Sequence, residues 1–165
     1  MSAQAVPINL NDFFFFAGDP VTIAPDGSSA TIGELDGVSP VLLSNDPGLG
    51  DPQVIIAASG VSLIFDYNFV EGSGSNDEFE AFILDSTGAS AGTGFEFFTQ
   101  STSSGTVSFD LSGLTGEPII GLQFQLSALS GDADLNSIVT VSNVRLESPA
   151  VIPEPSSIHL MCDSF

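Results

Sequence analysis

Val61-Ser62-Leu63-Ile64-Phe65-Asp66-Tyr67-Asn68-Phe69 decides the fold class. Leu63, Phe65, Tyr67 and Phe69 fall on one side of an extended chain, and Ser62, Ile64, Asp66 and Asn68 fall on the other. A period of two with one apolar face is the pattern of an antiparallel strand packed on a core. The same alternation recurs at Val107, Phe109 and Leu111, and again at Leu122, Phe124 and Leu126 with Gln123 and Gln125 between them. Further strands are predicted at 30–34, 41–44, 53–57, 78–85, 95–100 and 138–147, and no long stretch carries a helical apolar period. In the last of these, Val139 and Val141 share one parity while Val144 and Leu146 take the other, so a β-bulge near Ser142-Asn143 is expected to restore a continuous inner face. Phe13-Phe14-Phe15-Phe16 is apolar on both parities and is expected to be covered on both sides or to pass between sheets. Short strands separated by Gly-, Ser-, Asn- and Asp-rich loops indicate an all-β, two-sheet antiparallel β-sandwich of the jelly-roll type.

Composition narrows the partners. The 21 Asp and Glu face a single Lys or Arg, Arg145, for a net charge of −20. Charged residues make up only 13%, against roughly 25% in an average globular protein, so the surface is built largely from neutral polar side chains. Nucleic acid and anionic membrane surfaces both need clustered Lys or Arg and are excluded as partners. Divalent cations are compatible, because carboxylates without basic neighbours lower their repulsion by binding Ca²⁺. No run reaches the ~18–20 apolar residues required to span a bilayer, so no membrane span is expected in this sequence.

Catalytic chemistry finds few candidates. His159 is the only histidine and Cys162 the only cysteine, and both lie near the C-terminus. The body therefore offers neither a Ser-His-Asp or Cys-His arrangement nor a Cys/His zinc site. Asp66 and Glu80, if on neighbouring strands, would form a carboxylate pair for glycoside hydrolysis, the less favoured reading because Trp is absent and the one Tyr, Tyr67, falls on the apolar face. Asp66, Asn68, Gln123 and Gln125 are polar, strand-borne and outward, and are the candidates for hydrogen bonding sugar hydroxyls from one sheet face. The competing reading is an ordinary solvated face.

Gly131-Asp132-Ala133-Asp134-Leu135-Asn136-Ser137 places oxygen side chains at alternate positions, as the first half of an EF-hand loop does. Ser137 at the sixth position and Asn143 at the twelfth break that motif. Asp132, Asp134 and Asn136 remain candidate ligands of a different Ca²⁺ loop, completed by Asn45-Asp46 or by Asn76-Asp77-Glu78. Such residues also favour plain turns for their own reasons.

Val151-Ile152-Pro153-Glu154-Pro155-Ser156-Ser157 resembles the signature of the PEP-CTERM proteins, with Pro153, Glu154 and Pro155 carrying the likeness. That resemblance implies a bacterial exported protein, sorted by an exosortase that processes the tail. In the family a transmembrane helix and a basic cluster follow at once, whereas here Ile158-His159-Leu160-Met161-Cys162-Asp163-Ser164-Phe165 follows. Ala3-Gln4-Ala5 has the small-x-small form of a secretory cleavage site without the apolar segment that precedes one. Together they lead us to expect a chain truncated at both ends.

Leu63 to Phe69, Asn76 to Phe79, Val107 to Leu114, Ile120 to Leu126 and Val139 to Leu146 also look like segments of PEP-CTERM ectodomains, which are similar to jelly-roll carbohydrate-binding modules. The expected organisation is a cleavage-region remnant at 1–7, a β-sandwich at 8–147, a Pro-rich linker with the sorting motif at 148–157, and an atypical tail at 158–165. The resemblance implies a non-enzymatic, secreted or cell-surface protein associated with extracellular polysaccharide, with no catalytic residues. The alternatives are a carbohydrate-binding module, supported by calcium or not, and a glycoside hydrolase.

Overall fold

A computed structural model describes residues 3–36, 39–49, 54–73, 76–129 and 134–150. The sorting motif Pro153, Glu154 and Pro155 and the candidate ligand Asp132 lie outside the described residues. Among the described residues ten strands form: β1 (Gln4–Pro7), β2 (Val21–Ile23), β3 (Ser29–Gly33), β4 (Val41–Ser44), β5 (Ser62–Val70), β6 (Asp77–Leu84), β7 (Glu96–Thr99), β8 (Ser103–Asp110), β9 (Gly121–Ala128) and β10 (Ile138–Ser148). All pairings between them are antiparallel.

One sheet runs β2-β3-β10-β5-β8, with β1 added alongside the second half of β10, and the other runs β4-β9-β6-β7. Read from its centre outward, β6 pairs with β7, β5 with β8, β4 with β9 and β3 with β10. That nesting is a single long hairpin folded over on itself, which is the jelly roll. β8, eight residues long and free of Lys, Pro and bulges, forms one edge of the larger sheet.

The inward residues follow the sequence alternation. Leu63, Phe65 and Phe69 of β5, Phe79, Ala81 and Ile83 of β6, Leu122, Phe124 and Leu126 of β9, and Val139, Val141 and Val144 of β10 are all buried in one core. Phe124 lies at its centre, with ring centroids 5.0 Å from Phe65 and 6.4 Å from both Phe13 and Phe79. Tyr67 points inward, as its parity requires, and lies against Phe79 and Phe97 at 5.6 and 5.0 Å.

The bulge expected near Ser142-Asn143 is present. Ser142 pairs with Asp66, but the next partners are Arg145 and Ile64, so β10 spends one residue more than β5 between them. Asn143 absorbs the extra step at φ +52°, a left-handed conformation that Asn tolerates better than most side chains. Val144 thereby returns to the core face.

Two local expectations are corrected. Of the strand expected at 53–57, Gln53 lies outside the described residues, and residues 54–57 form no strand: among them Ile55 alone makes a bridge, to Ile120. The Phe13–Phe16 run is not covered on both sides. Phe13 is buried against Phe124, whereas Phe14 and Phe16 are 40% and 53% exposed. No helix among the described residues is long and apolar enough to cross a membrane.

Candidate functional site

Outward residues of β4, β9, β6 and β7 share one surface, and the register orders them into rows. In the first row, Phe14 bridges to Ser44, Ser44 pairs with Gln123, Gln123 with Phe82, and Phe82 with Glu96. In the second, Leu42 pairs with Gln125, Gln125 with Glu80, and Glu80 with Phe98. Strands lie about 4.8 Å apart, so Phe14 and Phe82 stand roughly 14 Å apart across the sheet with polar residues between them.

The polar centre is internally bonded. Gln125 Nε2 donates to Glu80 Oε2 at 2.7 Å, Ser127 Oγ donates to the same oxygen at 2.8 Å, and Gln123 Nε2 donates to Gln125 Oε1 at 3.1 Å. On β6, Glu78 accepts from Gln100 Nε2 at 2.6 Å. Burial pushes the Glu80 carboxyl above its ordinary range. Neighbouring Glu78 adds to that rise, and the bonds from Ser127 and Gln125 oppose it.

Aromatic rings flank this centre on both sides. Phe14 and Phe16 meet edge to face at 5.0 Å beyond β4, and Phe82 and Phe98 meet edge to face at 5.8 Å on β6 and β7. Phe98 is 48% exposed. Leaving a phenyl ring in water forgoes its burial, so two ring pairs bordering one polar row form a surface suited to a ligand with both apolar faces and hydroxyls. Phe82 shares the parity of Glu80 and Phe98 that of Glu96, which is the only signal in the sequence for their outward position. The quartet at Phe13 to Phe16 hid Phe14 and Phe16, because four consecutive Phe give no parity to read.

The four residues expected to share one face do not. Gln123 and Gln125 lie on this surface, but β5 belongs to the other sheet, so Asp66 and Asn68 face solvent on the opposite side of the sandwich. There Asp66 accepts from Thr106 Oγ1 at 2.6 Å and from Asn143 Nδ2 at 3.0 Å, which hold its carboxyl below the usual range. Asn68 sits in a row of small polar residues, Thr22, Thr31, Thr140, Asn68 and Ser104. The Asp66–Glu80 pair considered for hydrolysis is separated for the same reason. Stacked sheets are about 10 Å apart and these side chains point away from each other, beyond the ~5–9.5 Å that glycosidase carboxylates keep.

Of the calcium candidates, Asp134 and Asn136 are described, in the loop before β10. This loop meets the one after β5: Gly72 N donates to Ser137 Oγ at 2.8 Å, and the Asn136 amide fills the space a Cβ on Gly72 would need. Asn76 is close by, its carbonyl accepting from Leu129 N at 2.7 Å. Asn45-Asp46 cannot complete such a site. Asn45 N donates to Leu122 O at the start of β9, whereas Asp77 pairs with Ala128 at its end, roughly 20 Å away along the strand. Among the described residues, no group of three or more His, Cys, Asp or Glu converges to hold a metal.

Neither a protein-family model nor a curated protein matches the chain. Solved structures similar to it include jelly-roll carbohydrate-binding modules. The module CBM6cm-2 from Cellvibrio mixtus lichenase 5A, in complex with cellotriose, is 13% identical at TM-score 0.44, over 91% of this chain and 100% of that one. SGBP-B from a xyloglucan utilization locus in Bacteroides uniformis is 15% identical at TM-score 0.44, over 90% of this chain and 46% of that one. The tailspike protein 4 enzymatically active domain of bacteriophage CBA120 is 9% identical at TM-score 0.43, over 88% of this chain. The chain spans 19% of that tailspike structure and less than half of SGBP-B.

Proposed function

We propose that this chain is a non-catalytic carbohydrate-binding domain that takes a glycan chain across the outer face of its four-stranded sheet. The observation that carries the reading is the row Phe14, Ser44, Gln123, Phe82, in which the exposed ring of Phe14 and the half-buried ring of Phe82, itself edge to face with the exposed Phe98, stand at either side of bonded polar side chains. A sugar ring presents C–H groups on its faces and hydroxyls round its rim. Phenyl rings match the first and Gln side chains, which both donate and accept, match the second. The roughly 14 Å between Phe14 and Phe82 suits an oligosaccharide better than a single sugar. The hydroxyl-rich face of the larger sheet, with Asp66 and Asn68, has no flanking rings among its rows and is the less favoured surface.

The test is affinity electrophoresis against a panel of soluble polysaccharides, repeated with F98A. Retardation by at least one glycan, weakened in F98A, is expected. Free migration through every glycan removes the reading. The finer assignment is export to the cell surface or the extracellular polysaccharide matrix, supported by the Pro153-Glu154-Pro155 motif. Its test is expression in a host with and without an exosortase, followed by mass spectrometry of the C-terminus; the same terminus in both hosts would refute it.

A further inference from the structure

Three hydrogen bonds cross the outer face in one sense. Ser44 Oγ donates to Gln123 Oε1 at 3.1 Å, Gln123 Nε2 to Gln125 Oε1 at 3.1 Å, and Gln125 Nε2 to Glu80 Oε2 at 2.7 Å. A Gln amide has nearly the same shape with its ends exchanged, so shape alone allows Gln123 and Gln125 two orientations each. An ionised carboxylate removes that freedom, because it only accepts. Facing Glu80, Gln125 must present its NH₂ group, which leaves its oxygen towards Gln123. Gln123 must then present its own NH₂ group, and its oxygen is left for the Ser44 hydroxyl.

We propose that Glu80 is a positioning residue that sets the sense of the whole Gln125–Gln123–Ser44 ladder, and with it the pattern of donors and acceptors offered to a ligand. The consequence for binding rests on the glycan-binding reading of this face; the ladder itself does not. Without an ionised Glu80, each amide is free to turn and a hydroxyl matched to one sense meets the wrong partner in the other. This makes the face a specificity device with one end fixed.

The surroundings make that end sensitive to pH. Glu78 on the same strand faces Glu80, and Glu96 of β7 lies on the same surface beside Phe82. From β9 the facing groups are Gln125 and Ser127, which do not titrate, and from β7 Phe98 stands directly opposite. Arg145 lies in the other sheet, bonded to Glu147 at 3.2 Å, so no cation comes from these elements. Burial already holds the Glu80 carboxyl above the ordinary range, with Glu78 adding to it. On acidification Glu80 therefore gains its proton before ordinary carboxylates do, and a protonated Glu80 can donate to Gln125 instead of accepting from it.

The experiment is a pH titration of the intact chain by NMR, following the Glu80 carboxyl carbon and the side-chain amides of Gln123 and Gln125, in wild type and E80Q. Both amides are expected to shift with the midpoint of Glu80 in wild type and to lose that midpoint in E80Q. Alongside it, retention on whichever polysaccharide binds is expected to fall about tenfold across the same midpoint, consistent with loss of one charge-assisted bond. E80Q is expected to bind weakly at every pH, and E78Q to lower the midpoint without removing it. Amide signals that ignore the Glu80 titration overturn the proposal, as does an E80Q variant with wild-type affinity and pH profile. If no polysaccharide binds wild type, the glycan-binding reading fails alone, and the amide titration still decides the ladder.

Discussion

Asn143 Nδ2 donates to Asp66 Oδ2 at 3.0 Å, so the residue that makes the bulge in β10 is tied to the strand it has slipped against. Its backbone N–H also reaches Ser28 O at 3.2 Å, and its carbonyl accepts from Arg145 Nη1 at 3.0 Å. The left-handed conformation of Asn143 is thus held from three directions. Replacing it separates the two contributions. N143G keeps the backbone at ease and loses one side-chain bond, and is expected to cost under about 1 kcal/mol. N143A loses the bond and must also carry a Cβ in the left-handed region, at about 1–2 kcal/mol more. Urea denaturation of the two variants measures the difference, and equal midpoints would refute the assignment.

Phe98 and Phe14 are exposed, so their removal is expected to spare the fold and weaken glycan retention. F98A and F14A should each lose up to about tenfold in affinity, the scale of one aromatic contact, with melting temperatures close to wild type. N68A, on the opposite sheet, is the control and should bind as wild type. Isothermal titration calorimetry with the retained oligosaccharide distinguishes these outcomes, and loss of binding in N68A alone would move the site to the other face.

Alternation along β5, β6, β9 and β10 makes inside and outside legible in the amino-acid sequence, and the parity break between Val141 and Val144 discloses the bulge. What alternation does not carry is which sheet a strand joins. Asp66 and Gln125 are both outward, and outward looks identical on the two sheets. Only the strand order, set by long-range pairing, parts them. The short β1 and β2 escape because three or four residues show too little periodicity, and β2 hides none of its residues fully. The aromatic edge beyond β4 escapes because the Phe13–Phe16 run has no polar residue to mark a parity.

Gly121 opens β9 where the chain from β4 passes close by. A Cβ there would overlap the carbonyl oxygen of Asn45 and come within 2.7 Å of Pro47 Cδ. Backbone cannot give way as a flexible side chain does, so G121A is expected to destabilise by about 1–3 kcal/mol. Gly116, with nothing within 4 Å of an added Cβ, is the matched control. G116A should be neutral or slightly stabilising through its unfolded state. Thermal melts of the pair check both signs.

Acid acts on this protein in two opposite directions. Hydroxyl donors hold the carboxyls of Asp66, Asp26, Asp85 and Asp110 below the ordinary range: Thr106, Ser28, Thr87 and Ser112 respectively. Groups lowered in the folded state stabilise it above their unfolded value and lose that contribution as pH falls through the folded one, below about pH 4. Glu80 is raised, so its contribution has the reverse sign: it is most favourable below the unfolded value, near pH ~4.3, and is lost as pH climbs through the folded one. E80Q is therefore expected to gain in melting temperature relative to wild type at pH 7 and to lose that advantage by pH 4. A constant difference between the two proteins across that range would contradict the assignment.

β8 leaves eight residues of backbone at the margin of the larger sheet, with no lysine, proline or bulge to blunt them. Other proteins guard such a margin locally. Here every copy carries a net charge of −20, and two copies approaching edge to edge repel before any backbone group can pair. The guard is colloidal and belongs to the whole molecule. It also weakens with ionic strength, since at physiological salt charges are screened beyond about 8 Å. For this protein the salt content of its surroundings is thus a setting that governs how closely its neighbours may stand.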